Sequence, residues 1–217
     1  MVKPRGLLLH ARLLSTALRV PLRAMARWRV FRVEVVNRER IPEKGAVIVA
    51  CNHLSVSDPI FLWGALRRTA VALAKSELWR NPLLGPVVWT MGQIPVDRGN
   101  PAAAQRALWR GRRVLEHKGV LVIFPEGKCS KDGELLPLKS GVADLAFATG
   151  APVVPVGIHG SNGVKPLGSW RIRRRHPVRL AFGEAMSPGQ YTQDAAGKQR
   201  FLDELARRIR DLSQPSQ

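Results

Sequence analysis

The sequence predicts an α/β fold: a single domain with a mostly parallel central sheet flanked by helices, preceded by a basic amphipathic N-terminal helical segment. Three observations indicate this. Short runs rich in Val and Ile alternate with segments of helical length. Gly, Pro or charged residues bound the runs, as is typical of chains that alternate strands and helices. The length of 217 residues suits one domain and is enough for a proper core.

Seven strands are predicted from the apolar runs, at residues 32–36, 46–51, 70–74, 93–96, 120–124, 153–158 and 178–182. Helices are predicted between or after them, at residues 59–66, 77–89, 101–118, 140–149 and 195–212. The helix that begins at Pro101 has the clearest signals. Asn100 is a good N-cap, proline fits the first turn, and Gly119 is a good stop.

The first thirty residues form a zone of their own. Apolar residues recur there at helical spacing and arginines fall on the opposite face, while no acidic residue occurs before Glu34. Pro21 is expected to kink or split the helix. Such a helix is typical of a segment that lies in a membrane interface; the alternative is an ordinary surface helix packed on the core. The predicted organisation is therefore a membrane-associating segment over 1–30, one α/β domain over 31–213 and a frayed tail over 214–217.

The charge balance is unusual. Thirty-five Lys and Arg face sixteen Asp and Glu, a net charge of +19, which indicates a polyanionic partner: nucleic acid, an anionic membrane surface or phosphorylated substrates. A nucleic-acid partner is not expected, because the chain has one Tyr and no interleaved aromatic and basic strand. No apolar run reaches the roughly 20 residues of a spanning helix, and no signal peptide is recognisable. Two cysteines give no disulfide framework, which fits a reducing compartment.

The stretch CNHLSVSDP, residues 51–59, holds the first candidate site. His53 and Asp58 are five residues apart, so on one regular helix they would lie about 140° apart and could not meet. They can meet if a turn separates them, and Ser55 to Asp58 match the capping-box pattern of a helix start. His53 would then lie in a loop after a strand, and the carboxylate could reach back to one imidazole nitrogen, as in a general-base pair. The alternative is that Asp58 only caps the helix.

Three further strands also end in polar, turn-forming residues. They are followed by GQIPVDRGN at 92–100, FPEGKCS at 124–130 and VVPVGIHG at 153–160. Sites of α/β sheets collect at the carboxyl ends of the strands, so these segments are expected to surround the same site as His53.

Together the four blocks resemble those of the glycerolipid, or lysophospholipid, acyltransferase family, of the 1-acylglycerol-3-phosphate O-acyltransferase type. The NHxxxxD (HX4D) block corresponds to Asn52, His53 and Asp58, and the others to residues 92–98, 124–127 and 153–156, in the family's order. The resemblance covers residues 30 to 185 or so. One such block is a weak signal, whereas four ordered blocks are strong.

The resemblance implies a peripheral membrane enzyme of phospholipid biosynthesis at the cytoplasmic face. It would transfer a fatty acyl group from acyl-CoA or acyl-carrier protein to the hydroxyl of 1-acylglycerol 3-phosphate, giving phosphatidic acid. His53 would take the hydroxyl proton and Asp58 would orient His53. The resemblance implies direct transfer, with no cofactor and no metal. The acceptor remains open: another lysophospholipid, a lyso-aminolipid or glycerol 3-phosphate would need the same chemistry.

Substrate-binding residues are carried over from the same blocks. Arg98 is the candidate for the acceptor phosphate, because guanidinium binds phosphate by paired hydrogen bonds; the alternative is a surface ion pair. Glu126 would bind a glycerol hydroxyl or hold Arg98. The remaining candidates for the acceptor pocket are Asn52, Gly127, Lys128 and Lys139.

The chain departs from the family after its FPEG block. The family usually continues with Thr-Arg-Ser, whereas this chain has Lys128 and Cys129 before Ser130. Lys128 would supply positive charge one position earlier, but as a point charge and not as a planar fork. The departure leaves the acceptor headgroup open. Cys129 also raises a two-step route through a cysteine thioester. Because nothing in the sequence places a base beside Cys129, direct transfer is the prediction.

Overall fold

The computed structural model describes residues 31–215 except 83, 98, 165, 167, 169–171 and 174. The predicted membrane-associating segment over 1–30 therefore lies outside the described residues, as do Arg98 and residues 216–217. The described chain contains a seven-stranded sheet. Its strands are β1 (Arg32–Val36), β2 (Val47–Cys51), β3 (Ala70–Lys75), β4 (Ile94–Val96), β5 (Val120–Ile123), β6 (Val153–His159) and β7 (Pro177–Phe182).

The strands lie in the order β1-β7-β6-β2-β5-β3-β4. Five of the six neighbouring pairs are parallel, and only β6 and β7 pair antiparallel. The prediction of a mostly parallel α/β sheet is therefore confirmed. Because β2 to β6 run in the same direction, the segments that follow them emerge at one edge of the sheet, where sites of α/β folds form.

Six α-helices accompany the sheet in the described part of the chain. They are α1 (Asp58–Ala65), α2 (Leu84–Thr90), α3 (Pro101–Glu116), α4 (Gly141–Thr149), α5 (Ser161–Val164) and α6 (Ala195–Ser213). Helix α3 begins as predicted: the Asn100 side chain accepts a hydrogen bond from the Ala103 N–H, 3.2 Å, and Pro101 is the first helical residue.

The single helix predicted over 77–89 is wrong. The structure has a 3-10 helix at Ser76–Arg80 and a separate α2 that begins at Leu84. Asn81 precedes Pro82, and the proline ring forces it out of the helical region to φ −77°, ψ 123°. The Asn81 side chain then accepts the Leu84 N–H, 2.9 Å, at the start of α2. The short helix α5 was not predicted.

The apolar runs form two cores, one on each face of the sheet. Strand β2 is buried throughout, which explains its continuous apolar sequence. Its odd-numbered residues join a cluster with Phe61, Leu62 and Ala65 of α1. Its even-numbered residues join a second cluster with side chains of α3, α4 and α6. The central strands are thus fixed from both faces, and the loops at their carboxyl ends start from rigid positions.

Strand β6 packs closely on the end of α6 at Gly157. A Cβ added at Gly157 would overlap the backbone of Leu212 and Ser213. We expect Gly157→Ala to destabilise the fold by about 1–3 kcal/mol, because overpacking forces backbone shifts, and so to lower the Tm by several degrees in a thermal melt. The matched control is Gly64→Ala in α1, where the added Cβ meets nothing within 4 Å; its Tm should stay the same or rise. Equal melting temperatures for both variants would contradict the close approach.

Candidate active site

The structure brings His53 and Asp58 together. His53 lies in the loop that follows β2, and Asp58 is the first residue of α1. His53 Nδ1 is 2.9 Å from Asp58 Oδ2. Both residues are buried, with exposed fractions of 7 % and 0 %. The turn between strand and helix therefore produces the contact that a regular helix would forbid.

The Asp58 carboxylate also shapes the loop that carries His53. Its Oδ2 accepts the backbone N–H groups of Leu54 at 2.6 Å and Ser55 at 2.8 Å. The bond from the Ser55 N–H is one half of the predicted capping box. The helix N-cap is Ser57, and the Ser55 hydroxyl lies 3.0 Å from the Ser57 hydroxyl. One carboxylate oxygen thus holds both the imidazole ring of His53 and the backbone of the two residues that follow it.

The backbone and ring of His53 are held by the loop after β5. The His53 N–H donates to Glu126 Oε1, 2.6 Å, and its carbonyl accepts the Ser130 N–H, 2.7 Å. The imidazole stacks on Phe124, with ring centroids 4.3 Å apart and planes at 27°. Phe124 and Ser130 were not predicted as site residues. Phe124 belongs to the FPEG block, but its stacking depends on how β2 and β5 pair, and no sequence signal marked Ser130.

Asn52 holds the same loop from the other side. Its Nδ2 donates to the Ile158 carbonyl, 2.9 Å, and its Oδ1 accepts the Ile158 N–H, 2.7 Å. Asn52 is 2 % exposed. Both ends of its amide are therefore engaged with β6, so these contacts support a positioning role and do not support the predicted contact with substrate.

Glu126 is also engaged inside the fold. Besides the His53 N–H on Oε1, its Oε2 accepts the Leu136 N–H, 2.8 Å. Burial raises the pKa of Glu126, although the backbone hydrogen bonds from Leu136 and His53 oppose the shift. The carboxylate ties the His53 loop to the segment after the FPEG block. These contacts indicate positioning and leave neither oxygen without a backbone partner.

Gly127 and Lys139 lie against each other at the same turn. Gly127 has φ +73°, a conformation that side chains rarely adopt, and a Cβ there would approach Lys139 Nζ to 2.9 Å. The Lys139 N–H donates to the Pro125 carbonyl, 2.9 Å. The ammonium group of Lys139 is thus placed beside the FPEG turn. Lys128 is exposed on that turn, while Arg98, the predicted phosphate ligand, lies outside the described residues.

Cys129 lies near His53. It is half-buried and is among the groups that raise the pKa of the imidazole. The next residue, Ser130, donates its N–H to the His53 carbonyl, 2.7 Å. No sequence signal placed a base near Cys129, whereas the structure does. The reason is tertiary: the loops after β2 and β5 meet because these strands are neighbours in the sheet.

The contacts of His53 change its proton affinity. Burial alone lowers the pKa of His53, but its hydrogen bond and charge interaction with Asp58, with a further contribution from Cys129, raise it from 6.5 to about 9. The imidazolium form is thus stabilised by its surroundings. A proton that reaches Nε2 is held there, which is the property that proton abstraction from a hydroxyl or a thiol requires.

This shift predicts a pH-dependent stability. Because the pKa of His53 rises on folding from 6.5 to about 9, its contribution is complete below pH 6.5 and is lost as the pH rises through 9. We expect the difference in free energy of unfolding between the protein and His53→Asn to shrink by on the order of 3 kcal/mol over this range. Urea unfolding of both proteins at several pH values measures it. A difference that does not change with pH would contradict the shift.

A cleft of about 550 Å³ opens next to the pair, lined by Leu54, Ser130, Lys131, Asn162, Pro166 and Gly168. Leu54 directly follows His53, and the Ser130 N–H donates to the His53 carbonyl, so the cleft lies next to the His53 loop. Its size is within the range of small-molecule sites. In the part of the chain described here, no group of three His, Cys, Asp or Glu side chains is arranged to hold a metal ion. The described helices include none that is long and apolar enough to cross a membrane.

Comparisons with known proteins identify relatives of this chain. The chain is similar to the 1-acyl-sn-glycerol-3-phosphate acyltransferase of Limnanthes douglasii, 32 % identical over 170 residues, which is 78 % of this chain and 58 % of that relative. It is also similar to the enzyme of the same name from Bacillus subtilis, 28 % identical over 184 residues, 83 % of this chain and 87 % of the relative. The chain spans only about 58 % of the plant relative's length.

A solved structure has the same fold. The crystal structure of the 1-acyl-sn-glycerophosphate (LPA) acyltransferase PlsC from Thermotoga maritima matches with a TM-score of 0.75 and 25 % identity, covering 94 % of this chain and 83 % of that one. The sequence model of the Acyltransferase family matches residues 32–159, more than half of the chain and the part that contains His53, Asp58, Glu126 and Cys129. The chain therefore belongs to the Acyltransferase family.

Proposed function

We propose that the protein transfers a fatty acyl group from acyl-CoA or acyl-carrier protein to the free hydroxyl of 1-acylglycerol 3-phosphate, giving phosphatidic acid and a free thiol. The observation that carries this proposal is the buried contact between His53 Nδ1 and Asp58 Oδ2, 2.9 Å, beside an open cleft. The names of the relatives supply the substrate class. A His–Asp pair is what the reaction needs, because a hydroxyl attacks a thioester well only when a base takes its proton.

His53 is the general base of this reaction. Asp58 fixes the tautomer that leaves Nε2 free to accept the hydroxyl proton, and it stabilises the imidazolium that forms. The hydroxyl oxygen attacks the carbonyl carbon of an acyl thioester, and the leaving thiolate takes the proton back from Nε2. Phe124, Glu126 and Asn52 do not touch the reacting atoms in this scheme. They hold the His53 loop through stacking and buried hydrogen bonds.

Cations near the FPEG turn bind the acceptor phosphate in this proposal. Lys139 is suited to this role because its Nζ lies beside Gly127 and its backbone is tied to Pro125. Lys128 is exposed on the same turn, and Arg98 stays a proposed phosphate ligand on its sequence position alone. A phosphate that meets these cations would bring its glycerol hydroxyl towards the loops at the carboxyl ends of β2 and β5.

The protein would work at an anionic membrane surface, as a peripheral enzyme on the cytoplasmic face. The net charge of +19 and the acid-free segment over 1–30 support this. Helix α2 adds three exposed apolar side chains, Leu84, Val87 and Trp89, with exposed fractions of 46 %, 38 % and 69 %. Such side chains suit insertion among lipid headgroups.

A second acceptor class is favoured by one observation. Lys128 and Cys129 stand where the family usually has Thr and Arg, so the acceptor headgroup can differ while the chemistry stays the same. Another lysophospholipid, a lyso-aminolipid or glycerol 3-phosphate would use the same base.

The experiment that tests the proposal is an acyl-transfer assay with the full chain. Two radiolabelled donors are used, acyl-CoA and acylated acyl-carrier protein. Each donor is mixed, in the presence of anionic vesicles, with one acceptor at a time: 1-acylglycerol 3-phosphate, another lysophospholipid or glycerol 3-phosphate. We expect labelled phosphatidic acid as the main product. If a different lipid is labelled, the acceptor of the reaction is the one from which that lipid is made. No labelled lipid with any pair of donor and acceptor would overturn the proposal.

A further inference from the structure

We propose that one exposed face of helix α3 is the surface on which an acidic carrier protein docks to present its acyl thioester to the His53 site. The face consists of Arg106, Trp109, Arg110 and Arg113, and all four are exposed. The inference deepens the proposed function and rests on it, because it assigns the acyl donor of that reaction to a protein and supplies the contact surface.

The four side chains of the α3 face are neighbours on the helix surface. They are spaced at i, i+3, i+4 and i+7, the spacing that places residues on one side of a helix. The buried residues of α3 are Ala107, Gly111 and Leu115, and the helix packs at Gly111 against leucine side chains of β5 and α4. The α3 face therefore points away from the sheet and forms one continuous exposed surface.

Two arginines of the α3 face are not explained by the fold. Arg112 and Arg113 pair with Glu116 at the end of the helix, where the helix dipole also favours positive charge. Arg106 and Arg110 lie mid-helix and pair with no acidic side chain of the described residues. They are four residues apart, and like charges at this spacing destabilise a helix. A pair that weakens its own helix and has no partner in the described fold indicates an acidic partner outside it.

Trp109 gives the α3 face an aromatic anchor. Its side chain is 61 % exposed and takes no part in the core. The guanidinium carbon of Arg113 lies 5.6 Å from the centre of the Trp109 ring, a cation–π contact that holds the indole on the helix surface. Tryptophan and arginine are the residues most enriched at the energetic centres of protein interfaces. An ordinary solvated helix face would explain arginines but not an exposed tryptophan among them.

The α3 face suits an acidic protein better than a lipid surface. It contains no aliphatic side chain, so it has little to insert among lipid chains. The exposed aliphatic side chains Leu84 and Val87 are instead on α2. The planar guanidinium groups of the α3 face match the carboxylates that an acidic protein presents, through paired hydrogen bonds. We therefore separate the two anionic partners, with the carrier protein on α3 and the membrane on α2.

The position of the α3 face fits a donor that reaches the site through a long arm. Helix α3 begins after β4, at the edge of the sheet where the His53 loop follows β2. Strands β3 and β5 separate β4 from β2, a span of roughly 14 Å at about 4.8 Å per strand. Arg106 and Arg110 lie about 8 and 14 Å along the helix from Pro101. The cleft of about 550 Å³ can admit a flexible arm with its acyl group but not a protein, so the carrier must dock beside it.

The test compares two donors that carry the same acyl group. Palmitoyl-CoA and acyl-carrier protein loaded with palmitate are each used with the full chain, anionic vesicles and 1-acylglycerol 3-phosphate or the acceptor that the assay above identifies. The variants are Arg110→Glu and Trp109→Ala. Arg110→Glu puts opposite charges four residues apart on α3, so the helix should not weaken. The matched control is Arg210→Glu, the same charge reversal at an exposed position of α6.

We expect each variant to lower kcat/KM for the carrier-bound donor by about tenfold or more, because charge pairs and aromatic anchors at an interface contribute this much. The value for palmitoyl-CoA should stay within about twofold, since the free coenzyme does not need the α3 face. Added salt should lower kcat/KM of the unmodified protein for the carrier-bound donor, and should lower that of Arg110→Glu less. Arg210→Glu should resemble the unmodified protein with both donors.

The outcomes separate this inference from the proposed function. If both variants keep kcat/KM for the carrier-bound donor, or if the protein uses palmitoyl-CoA alone, the docking surface is overturned while acyl transfer stands. If activity with both donors falls together with vesicle binding, the α3 face binds the membrane and the inference is overturned. If no donor gives product, the proposed function fails, and titration of fluorescently labelled acyl-carrier protein decides the inference by itself. Binding that Arg110→Glu loses and Arg210→Glu keeps would then support the docking surface, and absence of binding would overturn it.

Discussion

Replacement of His53 by asparagine is expected to lower kcat by about 10²–10⁴-fold, the range that a positioned general base contributes. The variant loses the ring nitrogen that takes a proton from the acceptor hydroxyl in the proposed reaction. The asparagine amide can still donate to Asp58 Oδ2, which His53 Nδ1 contacts at 2.9 Å. The loop contacts of Asp58 with Leu54 and Ser55 do not involve the ring and are therefore kept.

Initial rates of acyl transfer are measured for the unmodified protein and for His53→Asn at a saturating concentration of the acyl donor. A thermal melt shows whether the variant is folded. His117→Asn is the matched control. That histidine is exposed at the end of α3, and its Nδ1 contacts the Arg113 carbonyl. The rate of acyl transfer by His117→Asn should therefore be unchanged. A folded His53→Asn variant that keeps full activity would show that His53 is not the base.

Replacement of Asp58 by asparagine is expected to be the second large effect, also on the order of 10²–10⁴-fold in kcat, because an amide cannot hold the imidazole in the required tautomer or stabilise its charge. The amide oxygen can still accept the N–H groups of Leu54 and Ser55. Asp58 is one of the groups that raise the pKa of His53 to about 9, so the variant should also have a lower pKa at this histidine.

A pH profile separates this effect from simple unfolding. A base with a pKa of about 9 is neutral only above that pH, so kcat/KM of the unmodified protein should rise with pH up to about 9. In Asp58→Asn the rise should occur at lower pH, with a lower plateau. Asp211→Asn, on the exposed face of α6 where Asp211 pairs with Arg207, is the control and should keep both the plateau and its position. An unshifted profile for Asp58→Asn would contradict the assigned role.

The sequence predicted the strands and the principal pair because both depend on local signals. Continuous apolar runs such as β2 identify buried strands, and the spacing of His53 and Asp58, with a helix start between them, is sufficient for the contact. The pattern of residues 77–89 predicts one helix, but Pro82 breaks it through a local effect on the backbone of Asn81.

The contacts of Asn52 and Glu126 could not be deduced in the same way. Glu126 binds an N–H group that is 73 residues away, and Asn52 binds one that is 106 residues away. In a sequence, polar residues of a motif look like ligands, but whether they bind substrate or backbone depends on which strands become neighbours. The pairing of β2 with β5 and β6 decides this here.

The hydrogen bonds of Asn52, Glu126 and Ser130 divide the site into a fixed side and an adjustable one. His53 is anchored to β6 through Asn52 and to the β5 loop through Glu126 and Ser130. The part of the cleft wall formed by Asn162, Pro166 and Gly168 makes none of these hydrogen bonds among the described residues. Changes of acceptor headgroup or acyl length can accumulate on that wall during evolution without disturbing proton transfer. A lineage of such proteins can therefore diversify its lipids while keeping one chemistry.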